Sequence, residues 1–325
     1  MSHALVLHRF GGPEELRWEE RADGPPGPGE VKIRHTAVGV NFIDVYNRTG
    51  LYPLQLPAII GQEAAGVVVE AGFGAALQPG ARVGYAGALG AYAEERLIPA
   101  DKLVRLPDGV SDADAAAVLL KGLTADMLLR RVHPLAAGEA ILFNAAAGGV
   151  GQIAVRWAKA LGATVIGTVG SAAKVEVARE AGCDHVLITD EAGLKGLAAR
   201  VRELTGGKGV RVAYDSVGGP LLDASIDCVA PRGLLVTFGQ ASGKVPLLDT
   251  GVLAGRGSLF ATRPSIRHYY ATAPELQEGA ARLFAAMEAG QVKAAIGARF
   301  PLREAGKAHQ GLQSRATTGA TVLIP

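Results

Sequence analysis

The spacing of apolar and polar positions changes character once along the chain. Over residues 1 to about 120, short β-like runs (ALVLH, EVKIRHTAVGV, AAGVVVEAG, ARVGYAG and AYAEERLIP) are separated by Gly and Pro, which predicts a strand-rich domain with little helix. From about Gly122 the texture differs. Apolar segments near 140–143, 164–167, 185–188, 210–214 and 233–238 each adjoin a stretch of helical periodicity, and that alternation implies an α/β unit with a doubly wound parallel sheet. Beyond Thr262 come a Pro-containing loop, a helix from about 274 to 288 and a closing strand in GATVLIP. This tail is too small to bury a core alone, so it is expected to return to the first domain. No solenoid or propeller repeat, low-complexity tract or long like-charge run interrupts the pattern.

Composition narrows the picture. The 325 residues carry 33 Lys and Arg against 31 Asp and Glu, a net charge of +2, so no field of one sign is available to hold a nucleic acid. Apolar residues make up 49% of the chain, enough for two domains of ordinary size. Cys183 and Cys228 are the only cysteines, too few for a disulfide framework or a thiolate zinc cluster. No apolar run reaches the length of a signal peptide or a membrane span. A cytoplasmic protein that avoids membranes is the expectation.

The most informative stretch is AILFNAAAGGVGQIAVRWAKALGATVIGTVGSAAK, a complete strand–loop–helix–strand signature. Ala146, Gly148 and Gly151 occupy the three small-residue positions of GxGxxG. The backbone of Ala147, Gly148, Gly149 and Val150, at the positive end of the helix that follows, is placed to bind a pyrophosphate. An NAD site usually sets an Asp or Glu at the end of the second strand, for the ribose 2′-hydroxyl. Here that strand runs into Gly170, Ser171, Ala172, Ala173 and Lys174, which offer a hydroxyl, N–H groups and a cation to a 2′-phosphate. NADPH is therefore the expected cofactor. Ser216 and Val217 follow the fourth strand and Phe238, Gly239, Gln240 and Ser242 the fifth, at carboxyl ends where open sheets bind ligands.

Asn41, Asp44, Arg48 and Gly50 in NFIDVYNRTG, then GQEAAG from Gly61, then AAGGVG, carry a resemblance. It extends through GGPE, TGLYP, LKGLTA, GTVGSAAK, YDSVGG, TFGQASG, TRPS and SRATTG. Together these blocks resemble the zinc-free quinone oxidoreductases of the medium-chain dehydrogenase/reductase superfamily. The resemblance implies a GroES-like, β-rich catalytic domain built from residues 1–122 and 263–325, a Rossmann-type NADPH domain over 123–262, and a homodimer. Zinc members of that superfamily carry a Cys ligand and Gly-His-Glu in this region, where this chain has Asn41 and Gln62, and residues 80–115 lack the cysteines of a structural zinc lobe. No metal is expected. A quinone is already electrophilic and needs positioning more than Lewis-acid help.

By resemblance the turn carrying Asn41 faces the nicotinamide, and Asn41 hydrogen-bonds cofactor ribose or substrate carbonyl; it equally suits the cap of a helix beginning near Phe42. Asp44 and Arg48, spaced i, i+4, suit a surface ion pair as well as a catalytic one and are read as structure. Tyr46 and Tyr52 suit an aromatic wall for a flat quinone, or ordinary packing. Lys121 suits stabilisation of oxyanion charge, or a lysine whose stem lies along the surface. The resemblance puts Thr124 near the nicotinamide carboxamide, and Arg263 and Arg315 near the cofactor. Two departures stand out: Asp126 and Met127 replace a Tyr-Tyr pair, and Thr189 replaces a Tyr near the adenine. The segment GRGSLFA is read as an edge strand for a second subunit. Two other functions stay open, a zinc-free alkenal or enoyl reductase and a non-catalytic NADPH-binding protein.

Overall fold

In the computed structural model, which describes residues 1–243, 245, 248–314 and 317–325, the chain divides into two compact units. One comprises Met1–Leu123 and Tyr270–Pro325, the other Thr124–Tyr269.

The first unit opens with strands β1 (Ser2–Leu7), β2 (Leu16–Arg21) and β3 (Glu30–Val40), followed by helix α1 (Phe42–Thr49). Next come β4 (Ala58–Ile59), β5 (Glu63–Ala71), β6 (Arg82–Ala86), β7 (Glu95–Pro99), β8 (Val104–Arg105) and helix α2 (Asp112–Asp126). The order β2-β1-β4 makes a small sheet. A larger one runs β15-β16-β3-β5-β6-β8, with β7 also pairing β3, once the chain has returned as α9 (Ala273–Glu288), β15 (Ile296–Pro301), α10 (Ala305–Gln313) and β16 (Ala320–Ile324). The closing strand lies antiparallel to β3, with Val322 opposite Gly39. Leu5, Val31, Ile33, Val38, Val83, Tyr85 and Leu323 share the core between these layers, the inward positions of strands with period-two alternation.

The second unit contains β9 (Ala140–Phe143), α3 (Gly149–Ala160), β10 (Thr164–Val169), α4 (Val175–Glu180), β11 (His185–Ile188) and α5 (Glu191–Leu204). It continues through β12 (Val210–Asp215), α6 (Pro220–Ile226), β13 (Val229–Thr237), α7 (Thr250–Gly255), β14 (Phe260–Thr262) and α8 (Ile266–Tyr269). All neighbours in the order β11-β10-β9-β12-β13-β14 are parallel. Chain direction across the sheet reverses between β9 and β12, so the loops following these two strands flank the crevice where such sheets bind ligands. The central strands β9 and β12 are almost wholly buried apolar runs, as expected inside a parallel sheet.

Candidate active site

The loop after β9 is shaped for a phosphate. Ala145 adopts the left-handed conformation at φ 55°, and its carbonyl accepts the Gly148 N–H at 2.9 Å. Gly148 is the N-cap of α3, contributes no side chain to the free N–H groups, and no acid stands in the first turn. A Cβ at Gly148 would meet nothing closer than the Ala145 oxygen at 3.1 Å, so the approach is open. Gly151 is small for another reason: a Cβ there would lie 2.4 Å from Ala145 O and 2.6 Å from Ala146 O, so only glycine lets α3 pack against the loop. Ala147 is buried, while Gly148, Gly149 and Val150 are half-buried at the mouth of this cradle. The donors present fit a pyrophosphate.

At the end of β10, Gly170, Ser171, Ala172 and Ala173 are exposed and Lys174 half-buried, in a tight turn closed by Lys174 N–H to Ser171 O at 3.1 Å. A Cβ at Gly170 would touch nothing within 4 Å. No Asp or Glu stands among residues 170–174, and Glu176 just beyond lies 3.5 Å from Arg179. A hydroxyl, a cation and free space suit a 2′-phosphate.

The loops after β12 and β13 are laced together. Phe238 N–H donates to Asp215 O (2.8 Å), Ala241 N–H to Ser216 O (3.2 Å) and Ser242 N–H to Val217 O (2.9 Å). Gly239 passes so close that a Cβ would sit 2.6 Å from Ser216 O. The Phe238 ring packs on Phe143 of β9 at 5.9 Å, and Gln240 is buried. Arg263, exposed just past β14, donates to Thr237 Oγ1 at 3.3 Å. Arg315 lies outside the described residues. Beneath these loops is a buried network that sequence reasoning missed. Asn144 Nδ2 donates to Asp215 Oδ1 and Ser225 Oγ, each at 2.8 Å, and its Oδ1 accepts from Thr168 Oγ1 at 2.9 Å. Asp215 Oδ2 accepts the Gly218 N–H at 2.8 Å, and burial pushes this carboxyl up from its ordinary pKa. The network ties the carboxyl ends of β9, β10 and β12 together at the crevice. A polar residue closing an apolar strand, Asn144 after AILF or Asp215 after VAY, was the available signal.

The first unit holds a second polar cluster. Asn41 caps α1, its N–H donating to Asp44 Oδ2 at 2.8 Å. Its side-chain Nδ2 donates to Glu63 Oε2 at 2.8 Å, and the same oxygen takes Lys121 Nζ at 2.8 Å while Oε1 takes the Leu120 N–H at 2.7 Å. Glu63 is fully buried and Lys121 nearly so. Lys121 is thus neither a surface lysine nor an unpartnered cation: it neutralises Glu63, and the two fix Asn41. Glu63 went unassigned in the sequence because its partners are 22 and 58 positions away.

Asp44 and Arg48 do not form a surface ion pair. Both are completely buried, and Asp44 Oδ2 accepts Tyr92 OH (3.2 Å) while Arg48 Nη2 donates to Gln313 Oε1 (2.6 Å). Burial drives the Asp44 carboxyl up to about 7, partly offset by the Asn41 and Tyr92 hydrogen bonds. Tyr92 OH also lies 2.8 Å from His309 Nε2, and burial holds this imidazole down at about 3.

Tyr46 and Tyr52 come together edge-to-face, ring centroids 5.3 Å apart, with Phe42 6.2 Å beyond Tyr46. Thr124, half-buried on α2, opens the second unit. Gln62 Nε2 is bonded to Asn47 Oδ1 at 2.9 Å, and among the described residues no three His, Cys, Asp or Glu side chains cluster to hold a metal.

Sheet order, open glycine loop and acid-free strand end define a dinucleotide-binding protein. Two family models match the chain, the alcohol dehydrogenase GroES-like domain over residues 27–108 and the zinc-binding dehydrogenase over residues 149–286. A quinone oxidoreductase of Pseudomonas aeruginosa is 48% identical over the full length of both chains. A 2-haloacrylate reductase of a Burkholderia species is 46% identical over 100% of this chain and 99% of its own. The crystal structure of Escherichia coli quinone oxidoreductase complexed with NADPH superimposes with a TM-score of 0.95 at 45% identity, covering 99% of this chain and 100% of that one. The chain belongs to the quinone oxidoreductase family of the medium-chain dehydrogenases/reductases.

Proposed function

We propose that the protein is an NADPH-dependent quinone reductase that works without zinc. The observation that carries this reading is the full-length likeness to quinone oxidoreductases, at 46–48% identity in three bacterial relatives. The site is consistent with it: an open phosphate cradle, a strand end with no Asp or Glu over residues 170–174, and an aromatic pair.

When bound, NADPH supplies the hydride, and quinone plus hydride plus one proton from solvent gives the quinol. The chain's own residues bind and orient. The free N–H groups of Ala147, Gly149 and Val150 hold the pyrophosphate, Gly148 leaving the approach open; Ser171 and Lys174 hold the 2′-phosphate, aided by Gly170. Ser216, Val217, Phe238, Gly239, Gln240, Ser242 and Arg263 contact the cofactor, with Thr124 at the carboxamide, and the resemblance adds Arg315 to Ser171 and Lys174 as a determinant of the NADPH preference. Tyr46 and Tyr52 flank the flat acceptor. Asn41 hydrogen-bonds the ribose or the acceptor, and Lys121, paired with Glu63, acts by holding the carboxylate that orients Asn41. Orientation of two reactants is itself a large part of such an acceleration.

A specific observation favours a second reading, reduction of an activated C=C bond, because the 2-haloacrylate reductase is nearly as similar as the quinone oxidoreductases. The test is nicotinamide oxidation by the chelator-treated enzyme with 1,4-benzoquinone, a naphthoquinone, trans-2-alkenals and 2-chloroacrylate, using NADPH and NADH in parallel. Chelator-insensitive turnover, fastest with a quinone and NADPH, is expected; faster turnover of an alkene moves the assignment to the second reading.

We further propose a homodimer joined through β14, the outer strand of the parallel sheet, where Phe260 is 64% exposed. A reducing, cytoplasmic setting fits Cys183 and Cys228, both buried and unbridged. Among the described residues no helix is long and apolar enough to cross a membrane.

A further inference from the structure

Tyr52 stands on an irregular loop between α1 and β4, yet both of its backbone polar groups are tied down. Its N–H donates to Tyr46 O at 3.1 Å, and its carbonyl accepts Asn47 Nδ2 at 3.3 Å. Asn47 is buried and itself held by Gln62 Nε2 at 2.9 Å, and Gln62 is buried at the head of β5. A chain of side-chain amides therefore runs from the sheet through α1 to the loop that carries the ring. Gly50, left-handed at φ 78°, ends α1 and turns the chain toward Tyr52, so the loop has little helical support of its own.

We propose that Asn47 and Gln62 are positioning residues for flat aromatic acceptors: they set the edge-to-face geometry of Tyr46 and Tyr52 and so determine the preference for a planar ring over a small acyclic acceptor. The proposal rests on the quinone reductase reading. Neither residue touches the acceptor. Their effect passes through the ring of Tyr52, whose stacking area matters to a quinone and is of no use to a three-carbon acrylate. Gln62 thus has a role apart from its neighbour Glu63, whose bonds run to Asn41 and Lys121 instead.

The experiment compares wild type, Gln62→Met and Asn47→Leu with 1,4-naphthoquinone and with 2-chloroacrylate, and titrates the NADPH-bound enzymes calorimetrically with 1-naphthol, a flat mimic that accepts no hydride. Loosening the ring pair is expected to raise KM for naphthoquinone and the Kd for 1-naphthol about five- to tenfold, the scale of one aromatic contact. KM for 2-chloroacrylate and for NADPH stays within twofold. A parallel loss with both acceptors, or no change in the 1-naphthol Kd, overturns the proposal. If Asn47→Leu does not fold, Gln62→Met gives the same reading with its volume preserved. Wild-type enzyme that reduces neither naphthoquinone nor benzoquinone refutes the parent reading, a result distinct from wild-type turnover with unaltered variants.

Discussion

Single residues in this protein are governed by burial more than by charge pairing. Asp44 titrates near 7 instead of 3.8 because water is excluded, so its folded pKa lies above the unfolded one. It stabilises the fold fully below pH 3.8, and that contribution fades as pH rises through about 7. Asp44→Asn, isosteric and uncharged, is therefore expected to raise stability at pH 8 by on the order of 4 kcal/mol, with little change at pH about 4, as read by urea unfolding at both values. Equal effects at the two pH values would refute this. Glu63→Gln has the opposite sign. It leaves the Lys121 ammonium buried without its counter-charge, costing about 3–5 kcal/mol, and Lys121→Met in the same chain should recover most of that loss. None of this was visible along the sequence. Asp44 and Arg48 at i, i+4 suggest a surface pair, and only the tertiary structure shows that Asp44 binds Tyr92, 48 positions away, and that Arg48 binds Gln313.

At the level of elements, what could be read in the sequence was whatever is local. β9 and β11 begin and end where apolar runs begin and end, and α3 opens at Gly149 because glycines mark its start. β15 and α10 escaped notice. The first is a half-exposed IGARFP whose inward face is only Ile296, Ala298 and Phe300, and the second is rich in small and polar residues, so tertiary pairing with β16 and packing on Pro13–Glu15 define them. β13 begins at Val229, four residues before Gly233, across a Pro-Arg-Gly segment that reads as a turn. The cofactor corner at the end of β10 makes a prediction at this level. Replacing Ser171 and Lys174 together by Ala should raise KM for NADPH about tenfold or more, leave KM for NADH nearly unchanged, and reduce the salt dependence of NADPH binding. Parallel loss with both cofactors would place the 2′-phosphate elsewhere.

For the molecule as a whole, acid stability is a balance of opposing groups. His35 and His309 are held near 4 and 3 by burial, against 6.5 when unfolded, so each favours the unfolded state as pH falls below 6.5. Asp44 acts in the reverse direction over the same window. Asp215, whose carboxyl burial also pushes up, pulls the same way as Asp44, so the imidazoles and carboxyls offset one another, and Asp44→Asn should make the loss of stability between about pH 6 and 4.5 steeper by about 1.4 kcal/mol per pH unit. A slope unchanged by the substitution would show that other groups dominate. On the scale of assembly, Phe260→Glu on the outer strand should convert the proposed dimer to monomer in sedimentation at micromolar concentration, while a wild type that already sediments as monomer excludes the edge-strand interface. The return of β16 to pair with β3 has a consequence during synthesis. Strand β3 is made early, yet its neighbour is not on the ribosome until residue 320, after the entire second unit has emerged. The inserted unit, whose parallel strands are all supplied by one continuous stretch, is free to fold while the first unit still waits for its last strands. The end of β3 at residues 38–40 meanwhile lacks its partner and is open to other nascent chains, so the hazard of misassembly is concentrated in the interval before the final strand docks.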